Sequence, residues 1–133
     1  MTDLVLVDTN VILDVADADA EWMEWSGAHL SKLAFKLVIN PLIYTELCHH
    51  VGALSEVEAT VRSLGLTYQE LPRESLFLAA QAYKSYRQRG GTKTAPLADF
   101  FIGAHAEAAG FTILTRDTTR YETYFPNVPL ICP

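Results

Sequence analysis

Four acidic residues of this sequence, Asp8, Glu46, Asp99 and Asp117, lie where apolar segments end or are interrupted. A carboxylate that loses hydration in such surroundings needs a compensating partner. Because all four carry the same sign, a divalent cation shared among them is the simplest partner, and oxygen ligands of this kind suit Mg²⁺ or Mn²⁺. Such an ion can activate water and neutralise charge on phosphate oxygens. The acids therefore indicate metal-dependent chemistry on a phosphate ester.

Each acid also has an ordinary structural explanation when it is taken alone. Asp8 and Asp117 could cap the segments that follow them, and Asp99 could be an acid favoured by the dipole in a first helical turn. Glu46 could lie on an exposed helix face. Capping does not explain why all four acids follow or interrupt apolar runs, so the pattern as a whole favours a common site.

The elements that would position these acids alternate between short apolar strands and longer periodic segments. The pattern predicts strands at residues 4–7, 37–39, 112–114 and 130–131, and helical segments at residues 11–18, 21–36, 42–51, 55–64, 73–89 and 96–109. Ser55 and Glu58 have the spacing of a capping box for the fourth helical segment. This alternation predicts an α/β domain with a mostly parallel central sheet.

Placed on that sheet, Asp8 and Asp117 come just after strands, and Glu46 and Asp99 come early in helices. Functional residues of parallel sheets gather beyond the carboxyl ends of the strands. The positive end of a helix dipole would help to hold the other two carboxylates as anions. Small residues after Asp99, beginning with Gly103 and Ala104, would let that helix lie close to its neighbours.

Length and composition indicate one domain over residues 1–133, because the chain has 133 residues of which 50% are apolar. No apolar run approaches the roughly 20 residues that span a bilayer, and the first residues lack a basic leader segment. We therefore expect a cytoplasmic protein without a membrane partner.

Charge is distributed unevenly along the chain. The net charge of −6 argues against a nucleic-acid partner. However, residues 1–24 hold seven acids and no Lys or Arg, whereas residues 84–120 hold six bases, namely Lys84, Arg87, Arg89, Lys93, Arg116 and Arg120. The group Lys84, Arg87, Arg89 and Lys93, called the basic stripe below, could hold an RNA backbone or could be a solvated helix end. Arg116, beside Asp117, is a further candidate for RNA contact.

The order of these motifs resembles the PIN-domain ribonucleases, in particular the VapC-type toxins of toxin-antitoxin pairs. The matching segments are VDTN at residues 7–10, PLIYTEL at 41–47, ADFFIGAHA at 98–106 and ILTRD at 113–117. The resemblance covers nearly the whole chain. It departs in the loop after Asp117, where members often have another Asp and a Phe and this chain has Thr118-Thr119-Arg120-Tyr121.

This resemblance implies a PIN-like α/β/α sandwich and a Mg²⁺- or Mn²⁺-dependent endoribonuclease with Asp8, Glu46, Asp99 and Asp117 as its acidic cluster. Asp8, Asp99 and Asp117 would be metal ligands, and Glu46 would be either a ligand or the base that orients water. Small polar residues that the family keeps beside the metal correspond to Thr9, Asn10 and Thr115. The family also implies a homodimer and a small antitoxin whose C-terminal segment occupies the acidic groove. The number of metal ions stays open.

Two other functions remain as alternatives. A phosphatase of the haloacid-dehalogenase type also places an Asp after its first strand, but it needs a second Asp two residues later, where this chain has Asn10. A non-catalytic module that only binds RNA or protein is the other alternative, and the complete set of four acids argues against it. Metal-dependent cleavage of RNA would distinguish the three.

Overall fold

A computed structural model describes residues 2–94 and 97–133 and shows one parallel sheet of five short strands sandwiched between helices. In chain order the elements are β1 (Val5–Val7), α1 (Thr9–Ala16), α2 (Met23–Lys32), β2 (Leu37–Ile39), α3 (Pro41–Val51), α4 (Leu54–Ser63), β3 (Thr67–Tyr68), α5 (Arg73–Gln88), α6 (Ala98–Ala109), β4 (Thr112–Leu114), α7 (Thr119–Tyr124) and β5 (Leu130–Ile131). The predicted α/β sandwich is confirmed. No helix of the described residues is long and apolar enough to cross a membrane.

The strand order is β3-β2-β1-β4-β5, so the first strand lies at the centre. All four strand pairings are parallel. Every residue of β1 is buried, as expected for a central parallel strand covered on both faces. Since Val7 pairs with Leu114, the residues that follow β1 and β4 emerge side by side at the carboxyl edge of the sheet.

Helix α6 packs closely because one of its residues has no side chain. A Cβ atom at Gly103 would lie 2.3 Å from Cδ2 of Phe125. Phe125 is itself buried, so its ring occupies the space that the glycine leaves. The predicted role of small residues in this helix is therefore visible at Gly103, which lets α6 carry Asp99 close against α7.

Several predicted boundaries differ from the structure for identifiable reasons. Helix α1 begins at Thr9, earlier than predicted, because Asp8 caps it through the Thr9 amide. Helix α2 begins only at Met23, because the Asp19 carboxylate instead accepts from the amides of Glu21 and Trp22 in a preceding turn. The predicted start of α6 at Pro96 lies outside the described residues, and the helix is seen from Ala98.

The predicted capping box is wrong, and one strand was not predicted. Ala53 is the N-cap of α4 and no side chain caps that helix. The Glu58 carboxylate instead accepts a hydrogen bond of 2.5 Å from the Tyr44 hydroxyl. Strand β3 has two exposed residues and hence no buried apolar run from which it could have been predicted.

Candidate active site

Asp8 lies at the end of the central strand and is held by three hydrogen-bond donors. Its Oδ1 accepts from the backbone amide of Thr9 at 2.8 Å. Its Oδ2 accepts from the hydroxyl of Thr115 at 2.8 Å and from that of Tyr121 at 2.9 Å. The residue is 7% exposed. Burial raises the pKa of Asp8, the hydrogen bonds from Thr115, Tyr121 and Thr9 oppose that shift, and the nearby charge of Asp117 adds to it.

The loops that follow β1 and β4 are joined by a second set of hydrogen bonds. The Asn10 side-chain amide approaches the Thr115 hydroxyl at 3.4 Å, and its Oδ1 accepts from the Arg116 amide at 3.3 Å. The Asp117 amide donates to the Thr115 hydroxyl oxygen at 3.1 Å. Thr115 is therefore the common point of contact between Asp8 and Asp117. The Asp117 side chain itself is exposed.

Glu46 is brought to the same edge by α3. Asn40 caps this helix, because its Oδ1 accepts from the amides of Leu42 and Ile43 at 3.0 and 3.1 Å. The Glu46 carboxylate accepts from the Thr9 hydroxyl at 2.9 Å, which links α3 to the start of α1. Glu46 is exposed as a whole residue, but partial burial of its carboxylate and the charge of Asp8 raise its pKa, while the Thr9 hydrogen bond lowers it.

Asp99 lies in the first turn of α6, and Arg120 of α7 faces it. The Arg120 Nε is 3.5 Å from Asp99 Oδ2. The same guanidinium stacks over the rings of Tyr86 and Phe100, at 5.4 and 5.9 Å from their centroids. Burial raises the pKa of Asp99 to about 6, and the charges of Asp8, Asp117 and Glu46 add to the rise while Arg120 opposes it. The charges of the other three predicted acids therefore all act on Asp99.

The chemistry of these side chains fits a divalent cation. All four contribute carboxylate oxygens, which Mg²⁺ and Mn²⁺ prefer, and their repulsion would be relieved by positive charge. Within residues 2–94 and 97–133, no three carboxylate, imidazole or thiol groups already lie together as a metal site. Arg120 supplies part of the compensating charge beside Asp99.

The basic stripe lies at the exposed C-terminal end of α5 and the segment after it. Lys84, Arg87, Arg89 and Lys93 are all exposed. The Arg87 guanidinium donates to the Lys93 carbonyl at 3.0 Å, and that of Arg89 lies 5.4 Å from the ring centroid of Tyr124. Tyr86, in the same turns of α5, is one of the two aromatic residues whose rings the Arg120 guanidinium covers. The stripe thus adjoins the Asp99 side of the acidic cluster.

Arg116 does not extend this basic surface. Its Nε and Nη2 donate to the two oxygens of the buried Asp14 carboxylate at 2.7 and 2.8 Å. Its guanidinium also lies 5.0 Å from the ring centroid of Trp22. Because the charge is already paired, the prediction that Arg116 contacts RNA is not supported, and the residue instead fastens the β4–α7 loop to α1.

Sequence reasoning missed two residues of this site. From the sequence, Arg120 was identified only among six bases, and Tyr121 only in the segment that departs from the family pattern. Tyr121 is buried, and its hydroxyl contacts Asp8. The signal that could have drawn attention to them is the segment after Asp117 where the sequence departs from the family pattern, because Arg120 and Tyr121 belong to it and the structure places both in α7.

Asp8 and Asp117 follow adjacent strands at the carboxyl edge of the parallel sheet, which is where functional sites of such sheets lie. A family model described as PIN domain matches residues 5–126 of this chain. The chain therefore belongs to the PIN-domain family, and the predicted resemblance is confirmed.

Solved structures of low sequence identity share this fold. The toxin-antitoxin complex VapBC2 from Rickettsia felis, bound to a promoter DNA fragment, is 17% identical with a TM-score of 0.74, and the match covers 97% of this chain and 98% of that one. VapC20 of Mycobacterium tuberculosis, described as a toxin that cleaves the sarcin-ricin loop, is 14% identical with a TM-score of 0.64, and the match covers 94% and 98%. FitAcB from Neisseria gonorrhoeae is 22% identical with a TM-score of 0.69, and the match covers 96% of each chain. No curated protein sequence matches the chain.

Proposed function

We propose that this protein is a Mg²⁺- or Mn²⁺-dependent endoribonuclease and the toxin of a toxin-antitoxin pair. The observation that carries the proposal is geometric: Thr9 joins Asp8 to Glu46, Thr115 joins Asp8 to Asp117, and all lie at the carboxyl edge of the sheet. Membership of the PIN-domain family supports nuclease activity. The likeness to VapBC, FitAB and VapC20 supports the role of toxin and a small antitoxin as partner.

In this proposal Asp8, Asp99 and Asp117 would hold the metal, and the ion would supply activation of water and positive charge beside the phosphate. Asp8 is the fixed member of the set, because three donors determine the direction of its oxygens. Asp99 differs from Asp8, because its partner is the Arg120 guanidinium of the neighbouring helix α7, at 3.5 Å, rather than a set of three donors. Three small polar residues support the site by linking the segments that carry Asp8, Glu46 and Asp117, and these residues are Thr9, Asn10 and Thr115.

The reaction would add water to phosphorus and break one ester bond, so that one strand end keeps the phosphate and the other becomes a hydroxyl. Glu46 would take the proton from the attacking water, or would serve as another ligand. A raised pKa makes it a stronger base than an ordinary carboxylate. Arg120, once free of Asp99, would lie next to the phosphate as a counter-charge.

The proposal extends to the surroundings of the site, on the basis of the family resemblance and the distribution of charge. RNA would approach along the basic stripe, the antitoxin would cover the acidic groove, and the toxin would form a homodimer in the cytoplasm. Nothing in the site favours the phosphatase alternative, because Asn10 stands where that chemistry needs an Asp and already contacts Arg116 and Thr115.

The test is cleavage of a labelled hairpin RNA and of total RNA by the purified protein with Mg²⁺, with Mn²⁺ and with EDTA. We expect cleavage with either metal and none with EDTA. Asp99→Asn should abolish cleavage, whereas Glu107→Gln, which removes an exposed acid from the same helix, should leave it unchanged. RNA binding without cleavage by the wild type would instead support a non-catalytic module. Phosphate release from small phosphomonoesters, with phosphate attached to Asp8, would support the phosphatase.

A further inference from the structure

Tyr121 is a buried residue whose hydroxyl is directed at the acidic cluster. Tyr121 is 1% exposed, and its side chain packs in the hydrophobic core on the inner side of α7, the helix to which it belongs. Its hydroxyl donates to Asp8 Oδ2 at 2.9 Å. A tyrosine hydroxyl keeps its proton at neutral pH, so it donates in this contact and the carboxylate oxygen accepts.

The donors around Asp8 are not equivalent. The Thr9 amide fixes Oδ1, and two hydroxyls, those of Thr115 and Tyr121, meet at Oδ2. A hydroxyl has one hydrogen to donate, and that of Thr115 also lies 3.2 Å from the Asp117 carbonyl. The Tyr121 hydroxyl is attached to a rigid ring that the core encloses. It is therefore the donor best able to hold Oδ2 in one direction.

We propose that Tyr121 is a positioning residue for the metal site: its hydroxyl orients the Asp8 carboxylate so that the free lone pairs of that group face the other acids. This inference rests on the proposed function. A side chain that orients a metal ligand increases the affinity of the site for the ion. Removing a residue that hydrogen-bonds to a ligand in this way commonly weakens metal binding by roughly 10- to 100-fold.

The variant that isolates the hydroxyl is Tyr121→Phe, since Phe keeps the ring that fills the core. Its matched control is Tyr124→Phe, which removes a hydroxyl from the same short helix. The Tyr124 ring packs against Phe100, and within residues 2–94 and 97–133 its hydroxyl makes no hydrogen bond to the four acids. Mn²⁺ binding to each purified protein would be measured from the electron paramagnetic resonance signal of free Mn²⁺. A second measurement is the rise in Tm that Mn²⁺ causes in each protein. Because each variant is compared with its own metal-free form, the result does not depend on whether the substitution changes stability without metal.

We expect Tyr121→Phe to bind Mn²⁺ about 10-fold or more weakly than wild type and Tyr124→Phe to bind it equally well. The Mn²⁺ concentration for half-maximal RNA cleavage should rise in Tyr121→Phe, and cleavage should largely return at saturating Mn²⁺. If wild type binds Mn²⁺ and both variants match it, the hydroxyl of Tyr121 only satisfies a buried polar group and the inference is overturned. If wild type itself binds no Mn²⁺, the proposed function fails, and this inference with it.

Discussion

Asp8 accepts hydrogen bonds from three donors, whereas Asp99 faces the guanidinium of Arg120, at 3.5 Å. The sequence alone treats the two acids alike, as members of one repelling cluster whose neutralisation should leave the fold intact or more stable. Their contacts separate them. Removing charge from Asp99 takes away repulsion, whereas removing an oxygen from Asp8 takes away an acceptor on which buried hydroxyls depend.

Both Asp8→Asn and Asp99→Asn should abolish RNA cleavage, but their effects on stability should have opposite signs. An amide nitrogen at the Oδ2 position of Asp8 would face the hydroxyls of Thr115 and Tyr121, which costs about 1–3 kcal/mol when a buried donor loses its acceptor. Asp99→Asn should unfold at the same urea concentration as wild type or at a higher one in the absence of metal. Equal destabilisation of the two variants would show that the donors around Asp8 contribute little.

The pH dependence of stability offers a second test of Asp99. Its folded-state pKa is raised from 3.8 to about 6, so folding favours the neutral carboxyl. A carboxyl group whose pKa is raised by folding stabilises the folded protein fully at pH values below its unfolded-state pKa. This contribution is lost as the pH rises through its folded-state pKa. In metal-free buffer, the free energy of unfolding of Asp99→Asn minus that of wild type should therefore grow between about pH 4 and about pH 7. Urea titrations across that range measure the difference, and a constant difference would contradict the raised pKa.

At the scale of the elements, the site depends on how loops and helices meet at one edge of the sheet. Asn40 caps α3, and its side-chain amide donates to Nδ1 of the buried His105 in α6 at 3.2 Å. The helices that carry Glu46 and Asp99 are thus joined below the site. Gly103 and Phe125 fix the distance between α6 and α7, the helices that carry Asp99 and Arg120.

Gly103→Ala should therefore destabilise the protein, although alanine normally favours a helix. The new Cβ would lie 2.3 Å from the Phe125 ring, which is buried and has little room to move. Overpacking of this kind costs about 1–3 kcal/mol. Gly27→Ala is the matched control, because its Cβ would meet Val15 at an ordinary 3.8 Å, and it should be neutral or stabilising. Thermal unfolding compares them, and equal Tm values would mean that α6 can shift at no cost.

The elements also show which parts of the fold the sequence can predict. The strands at residues 37–39, 112–114 and 130–131 were located correctly, because short apolar runs between turn residues are a local signal. The capping box failed because Tyr44, from a different helix, holds Glu58. The pairing of Arg116 with Asp14 joins residues 102 apart in sequence, and no local pattern reveals such a partner. Besides the exposed strand β3 and the short helix α7, the sequence could not supply the long-range side-chain contacts.

At the scale of the whole molecule, the uneven charge distribution determines how an acidic protein could bind RNA. The net charge is −6, yet the basic stripe presents exposed cations beside the Asp99 side of the site. Surface charges are screened within about 8–10 Å at physiological ionic strength, so RNA near the stripe would be influenced by the local cations more than by distant acids. The local arrangement, rather than the net charge, should decide the salt dependence.

Replacing Lys84, Arg89 and Lys93 with Gln should weaken RNA binding and flatten its salt dependence by roughly 0.7 units of log–log slope for each lost contact with single-stranded RNA. Arg87 is left in place because it holds the Lys93 carbonyl. Binding would be titrated across a salt series in the Asp99→Asn background, so that cleavage does not interfere. The charge-matched control replaces Lys32, Arg62 and Arg73, which are exposed outside the stripe and should leave the slope unchanged because they do not line the path to the acids. If the two triple variants lose affinity equally, only overall charge matters, and RNA reaches the acidic cluster by a route other than the C-terminal end of α5.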